Sequence, residues 1–424
     1  MLPTDPTGPT GQLASWLAGL TTAQVPQQVR EKTKLLMLDG LACALVGAWL
    51  LWSATAVDAI LRLEGCGTNP IIGWNRGTTA PAAAMLNSSF IQGFELDDFH
   101  PVGPIHGASI VLPSLLACAS QIGMASGEHF LLGAVAGFEV GPRVGLALHG
   151  AEMLSRGWHS GTVFATFAAA AAVGVPLQLN ASQFEDALGM AGTQSSGLTG
   201  ARFGAMCKRM QHGFAARNGL PAAFLATAGY TGIKKVFEPQ HGGFLSVFGE
   251  ANSPDLSLIS AGLGERWEIE QIITKSYAVM GGILGCDSGW RRHGSAVFAH
   301  AGRKRGRMDS DSKINGRHET LFDEGGPTAQ GNVRVTAHFR DGARLDSFVF
   351  APKAVTAPVS EDRVVTKFHN LTRGIVEPGR QRAIIRAVLD LEGLRSISEL
   401  INLVTPVVGG AFDEHPLLSQ GEQI

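Results

Sequence analysis

Three stretches of this chain concentrate side chains that can move protons or hold anions. The first is Glu95-Leu96-Asp97-Asp98-Phe99-His100-Pro101, followed by Pro104-Ile105-His106-Gly107-Ala108-Ser109. Its carboxylates and two histidines surround Pro101, Gly103 and Pro104 just ahead of an apolar run, so polar groups are held at a helix entrance where a binding cleft can form. Histidine titrates near neutrality, with an unperturbed pKa of about 6.5, and His106 can therefore deliver or remove a proton at cellular pH. A plainer reading stands beside this one: Ser109 caps the following helix, and Asp97 or Asp98 accepts backbone donors.

The second stretch, Arg156-Gly157-Trp158-His159-Ser160-Gly161-Thr162, sets an aromatic–histidine pair between glycines at the start of an Ala-rich run. The unpaired N–H groups and partial positive charge of a helix N-terminus suit a bound carboxylate, although a lone histidine in such a place is more often structural. The third, Cys207-Lys208-Arg209-Met210-Gln211-His212-Gly213-Phe214-Ala215-Ala216-Arg217-Asn218-Gly219, is the densest cationic cluster in the helical part. Lys208 and Arg209 in apolar surroundings can neutralise a polyanion, or they can mark an exposed helix start.

Other chemistries lack their signatures. There is no G-x-x-x-x-G-K-[ST], no H-E-x-x-H, no G-x-S-x-G and no convincing dinucleotide fingerprint, which removes nucleotide, zinc-peptidase and serine-hydrolase readings. Asp97 and Asp98 as adjacent acids are a weak Mg²⁺ or Ca²⁺ signal, and no metal site is expected. With 34 basic and 36 acidic residues among 424, the formal charge is -2. No global field then favours nucleic acid or an anionic membrane, and an anionic substrate needs local cations. The basic run Gly302-Arg303-Lys304-Arg305-Gly306-Arg307 is read as a solvated loop. Cys43, Cys66, Cys118, Cys207 and Cys286 are scattered without a C-x-x-C pair, as in a reducing compartment. The first residues carry neither a secretory nor a mitochondrial leader pattern, so a cytoplasmic location is expected. The most apolar stretch, 162–177, is too short to span a bilayer and is stopped by Gly174 and Pro176, so no membrane partner is expected.

The elements that must hold these residues follow from periodicity. At this length two domains are the default. From about 11 to 264 small and aliphatic residues recur three and four apart, the pattern of one large helical bundle. Its first clear helix is announced by Thr22 ahead of Pro26 and runs through Val29, Leu36 and Gly40. Further helices are predicted over 81–90, 109–125, 130–148, 162–173, 183–191 and 211–227. Near Arg266 the period changes to alternation, predicting strands over 266–270, 332–339 and 345–350, with Asp341-Gly342 as a hairpin signal between the last two. Helices resume over 378–391 and 396–403. The fold class is therefore mainly α: a large all-α domain over 1–267, to which 394–424 returns, and a smaller α+β domain over 268–393.

In this order the three stretches resemble the MmgE/PrpD family, and most strongly its fungal cis-aconitate decarboxylases. The resemblance runs almost continuously from Gly11 to Tyr277 through Leu38-Asp39-Gly40-Leu41-Ala42-Cys43-Ala44, Glu95-Leu96-Asp97-Asp98, Ala108-Ser109-Ile110-Val111-Leu112-Pro113 and His212-Gly213-Phe214-Ala215-Ala216-Arg217-Asn218-Gly219-Leu220. It implies a helical domain built from both chain ends, an α+β lid, a homodimer, and a small tricarboxylate substrate handled without a cofactor. Matched motif to motif, it implies catalytic roles for His106 and His159 and substrate binding by Lys208, Asp97, Glu95 and Asp98, the last three forming the acidic loop. Two departures accompany it. Lys275-Ser276-Tyr277 fits the lid's opening strand, but the histidine that should follow reads Leu284, or Met280 on the alternative spacing. From Cys286 to about Gly331 the resemblance lapses, and the lid reads as truncated.

Three functions follow from the resemblance. The first is decarboxylation of cis-aconitate or an alkylated tricarboxylate to an itaconate-type product in fungal secondary metabolism. The second is dehydration of 2-methylcitrate or an alkylcitrate in the same pocket. The third is a non-catalytic paralogue with a degenerate lid.

Overall fold

The computed structural model describes residues 1–124, 126–275 and 359–410, together with the backbone of three strands between 317 and 349. The chain divides into two compact units: Met1–Thr274 with Val359–Ile424, and Lys275–Pro358. The fold is mainly α.

The first unit is a helical bundle. In chain order it contains α1 (Pro9–Gly19), α2 (Gln27–Gly47), α3 (Leu51–Glu64), the hairpin β1 (Asn69–Ile71) and β2 (Arg76–Thr78), α4 (Ala80–Gln92), β3 (Asp98–Phe99), α5 (Ala108–Ile122), α6 (Gly127–Ala147), α7 (Gly150–Ser155), α8 (Ser160–Gly174), α9 (Ala181–Gly192), α10 (Gln211–Thr227), α11 (Phe244–Phe248) and β4 (Ile273–Thr274). Helix α2 is buried almost all round from Thr33 to Gly47, as an apolar helix at the centre of a bundle must be. Helix α6 is long and apolar enough to cross a bilayer, but 94% of its most apolar window is buried inside the bundle. Helices α8 and α10 approach closely because their contact residues are small. A Cβ on Gly219 would lie 2.4 Å from the Thr166 carbonyl oxygen, and one on Gly213 would lie 2.5 Å from that of Met85 on α4. Any larger residue at either place would push α10, and the cationic turn that precedes it, away from α4 and α8.

A buried polar clamp fixes the end of this first stretch. Arg143, fully buried on α6, donates to the carbonyls of Ala261 and Arg266, each at 2.8 Å, and pairs with Glu139 at 3.3 Å. Glu139 accepts the Ile269 N–H at 2.9 Å. Burial, only partly offset by Arg143, pushes the Glu139 carboxyl up to about 7. These bonds turn 268–271 into a 3₁₀ turn instead of the strand that the alternating pattern predicts. Glu268 is buried like its apolar neighbours, because Arg266 supplies a charge partner and His100 Nε2 faces it. The strand comes later, where β4 pairs antiparallel with β3 of the acidic loop, Asp98 opposite Thr274 and Phe99 opposite Ile273.

After the second unit the chain returns with α12 (Glu361–Thr372), α13 (Pro378–Leu389) and α14 (Ser398–Val404). The return starts at Val359, not at 394, and residues 268–274 stay with the bundle, so the expected lid of 268–393 is too long at both ends. The reason is α12: Val364, Phe368 and Thr372 form one buried stripe that packs on α2, and α13 also packs there. A specific ion pair accompanies that stripe. Lys367 Nζ lies 2.6 Å from Asp39 Oδ1 on α2 and donates to the Leu96 carbonyl at 2.7 Å. Burial opposes the ammonium, yet Asp39, with smaller help from Cys43 and Asp97, raises the Lys367 pKa.

In the second unit the described backbone forms one antiparallel sheet, β5 (Arg317–Thr320), β6 (Val333–His338) and β7 (Arg344–Val349), in the order β5-β6-β7. Val333 pairs with Val349 and His338 with Arg344, the two strands predicted to flank Asp341-Gly342. Tyr277, Met280, Leu284, Cys286 and, apart from the backbone of β5, the stretch in which the resemblance lapses lie outside the described residues.

The Asp39–Lys367 pair generates a stability prediction. Lys367→Met leaves a buried carboxylate without its ammonium and should lower the unfolding free energy in urea by about 3–5 kcal/mol. Asp39→Asn in the same background should recover much of that loss, and a loss below about 1 kcal/mol for the single variant would mean the pair behaves as a solvated surface contact.

Candidate active site

The acidic loop between α4 and α5 is held in shape by its own polar groups. Glu95 stands in the left-handed backbone region, with φ of 61°, a conformation that is uncommon outside glycine. The His100 N–H donates to the Ile105 carbonyl at 2.9 Å, and His100 Nδ1 accepts the Gly103 N–H at 2.8 Å. With Nδ1 accepting, the neutral ring of His100 carries its proton on Nε2, which faces Glu268 at 3.3 Å. His100 is thereby a brace of the loop.

The three carboxylates of the loop have three different environments. Asp98 is fully buried, and its two oxygens accept the N–H groups of Gly107 and Ala108, each at 2.9 Å. It caps α5, which is the plainer of the two readings, and both oxygens are committed to backbone. Burial first, then the Asp97 charge, holds its carboxyl well above the usual range against the two amides. Asp97, also fully buried, places Oδ1 3.1 Å from His106 Nδ1. Glu95 is partly exposed and pairs with both Lys208 and Arg209, the latter at 3.4 Å.

The histidines converge from three elements. His106 ends the acidic loop; His159 precedes α8, where its N–H donates to the Gly197 carbonyl at 3.1 Å and its carbonyl accepts from Thr162 Oγ1 at 2.8 Å. His212, in the first turn of α10, lies between them, its ring centroid 5.1 Å from that of His106 and 5.4 Å from that of His159. Ser109 Oγ donates its one proton to the His106 carbonyl at 2.8 Å and lies 2.7 Å from His212 Nδ1. The serine must therefore accept from His212, which places a proton on Nδ1. His212 was not among the residues singled out from the sequence, although it stands in the cationic stretch; a third imidazole four residues after Lys208 was the available signal.

His106 and His159 differ electrostatically. Burial first, then the charge of Lys208 and then His106, drives the His159 pKa down to about 3. At neutral pH His159 is therefore an uncharged imidazole, and its buried Nδ1 has no hydrogen-bond partner among the described residues. His106 instead has the buried Asp97 carboxylate on its Nδ1. Lys208 sits in the 3₁₀ turn Met206–Arg209 just ahead of α10, and Arg209 lies 5.2 Å above the Trp52 ring. The sequence-predicted residues thus sort into two linked pairs, Asp97–His106 and Glu95–Lys208, with His159 beside them and Asp98 turned into the backbone. Among the described residues no group of three His, Cys, Asp or Glu side chains is arranged to hold a metal ion.

The cap role of Asp98 is testable. Asp98→Ala orphans the N–H groups of Gly107 and Ala108 at the start of α5 and should lower the unfolding free energy by about 1–2 kcal/mol. Asp98→Asn keeps one acceptor and should cost less. If Asp98→Ala unfolds at the parent's urea midpoint, the cap is not formed in solution.

Comparison with known proteins shows the family. The MmgE/PrpD N-terminal domain matches residues 11–257, the span that carries all three stretches. A cis-aconitate decarboxylase-like protein of Aspergillus oryzae is 35% identical, over 93% of this chain and 97% of that protein. Cis-aconitate decarboxylase of Aspergillus terreus is 34% identical, over 94% and 96%. The human cis-aconitate decarboxylase is 28% identical over 55% of this chain and 49% of its own. The matched span, more than half of the chain, and the near full-length fungal similarity show that this chain belongs to the MmgE/PrpD family.

Proposed function

We propose that this protein is a carboxy-lyase that removes CO₂ from cis-aconitate or a related alkylated tricarboxylate and needs no cofactor for the step. The observation that carries the reading is the asymmetry of the two histidines: one backed by a buried carboxylate, the other held neutral next to an ammonium. The names of the fungal relatives support the same substrate class.

The chemistry requires one well-placed proton. In cis-aconitate one carboxylate is β,γ to the double bond. Protonating the far alkene carbon draws the electrons of the C–C bond to that carboxylate into a new, shifted double bond, and CO₂ and itaconate result. The alkene is the electron sink. A carboxylate on Nδ1 stabilises an imidazolium and orients the ring, so His106 is assigned as the proton donor and Asp97 as the group that holds it ready. His159, uncharged, offers a hydrogen bond without adding a second positive charge, and Lys208 with Arg209 supplies the countercharge for substrate carboxylates.

The test follows the carbon atoms. Purified protein incubated separately with cis-aconitate and 2-methylcitrate should release CO₂ and give itaconate from the first, seen by carbon NMR, and activity should survive exhaustive chelation. His106→Asn should reduce turnover by about 10²- to 10⁴-fold while leaving binding of a saturated tricarboxylate near the parent value. Dehydration of 2-methylcitrate without CO₂ release from cis-aconitate would contradict the reading, as would loss of activity in EDTA with rescue by a divalent ion.

A further inference from the structure

We propose that Glu95 is a resident counter-carboxylate: it occupies the Lys208–Arg209 cation pair in place of a substrate carboxylate, and thereby sets how much negative charge a ligand must bring to bind. The inference rests on the reading of Lys208 as the substrate's cation.

The geometry distinguishes Glu95 from its neighbours in the loop. Asp98 spends both oxygens on backbone N–H groups and Asp97 turns to His106, whereas Glu95 presents one oxygen, Oε1, to both Lys208 and Arg209. With its amide turned so that the oxygen faces the ammonium, Gln92 accepts from Lys208 Nζ at 2.9 Å and donates to the Lys208 carbonyl at 3.1 Å. The head group of Lys208 is therefore held from α4 by a neutral acceptor, and Glu95 adds the charge. The Lys208 and Glu95 side chains are only 16% and 17% exposed, so the pair is screened less than one on the surface. Glu95 is also carried on a left-handed residue, which persists only when surrounding contacts hold it.

A carboxylate does not attract a carboxylate. Any anionic ligand that reaches Lys208 must displace Glu95 or lie beside it against repulsion, and it gains only the difference between its own interaction and that of Glu95. A trianion retains a net attraction from its remaining charges, while a dianion loses a larger share. Loss of CO₂ converts the first kind of ligand into the second, so Glu95 competes more effectively with product than with substrate and favours product release.

The experiment uses the full-length protein, with tricarballylate, a saturated tricarboxylate, as the binding probe and itaconate as the dianion. Glu95→Gln keeps size and hydrogen bonding and removes the charge. It should bind tricarballylate about tenfold tighter, bind itaconate tighter by a still larger factor, and lower KM for cis-aconitate without raising kcat. In a Lys208→Met background the same substitution should gain less than about threefold. Should Glu95→Gln fail to fold, Glu95→Asp, which withdraws the carboxylate by one methylene, should show a smaller tightening in the same direction. Unchanged or weaker tricarballylate affinity in a folded Glu95→Gln or Glu95→Asp protein, when the parent does bind, overturns this inference alone. If neither parent nor variant binds tricarballylate or cis-aconitate, the decarboxylase reading falls and this inference falls with it.

Discussion

The structure depends on how the helical bundle tolerates three fully buried carboxylates, Asp39, Asp97 and Asp98, close to one another. An unpaired buried carboxylate is expensive, and each has its own solution. Asp39 meets Lys367, which reaches in from α12. Asp98 receives two backbone amides at the start of α5. Asp97 meets His106, a partner whose protonation can change. Two of the three solutions are fixed, and the third is the one that can take part in chemistry.

The same arrangement joins the two ends of the chain. Lys367 also donates to the Leu96 carbonyl, so the acidic loop is held both by α2 and by a helix that arrives only after the second unit. On the other side, the close approach of α10 to α8 and α4, permitted by Gly219 and Gly213, brings the Lys208 turn against the loop and His212 between the other two histidines. The small residues of the bundle thus act on the site through distance, and the long charged residues act through pairing.

Much of this was legible in the sequence, and the rest was not for identifiable reasons. Helices α4, α5, α6, α8, α9 and α10 follow the three-and-four spacing of small apolar residues to within a few positions, because a bundle core imposes that period directly. The proximity of His106, His159 and Lys208 came from the family resemblance, since residues 159 and 208 are far from 106 along the chain. Residue types alone could not separate Asp97 from Asp98: adjacent acids look alike until the backbone decides which faces the α5 amides. The strand expected over 266–270 failed because alternation implies one exposed face, and here Glu268 is buried with Arg266 and His100 as partners. Helix α12 was missed because its buried stripe is narrow and, Val365 and Leu371 apart, the remaining positions are charged or polar. Lys367 was invisible as a partner of Leu96, 271 residues away.

The central claim is that neighbouring histidines are held in different states, His159 uncharged and His106 backed by a carboxylate. Proton–nitrogen correlation spectra of histidine-labelled protein, with His159 assigned by its loss in His159→Gln, measure this directly. As pH falls from about 8 to about 5, His159 should keep one bare and one protonated ring nitrogen, since burial, Lys208 and His106 hold its pKa near 3. A His159 ring that becomes doubly protonated with a midpoint near the unperturbed value of about 6.5 would contradict the account.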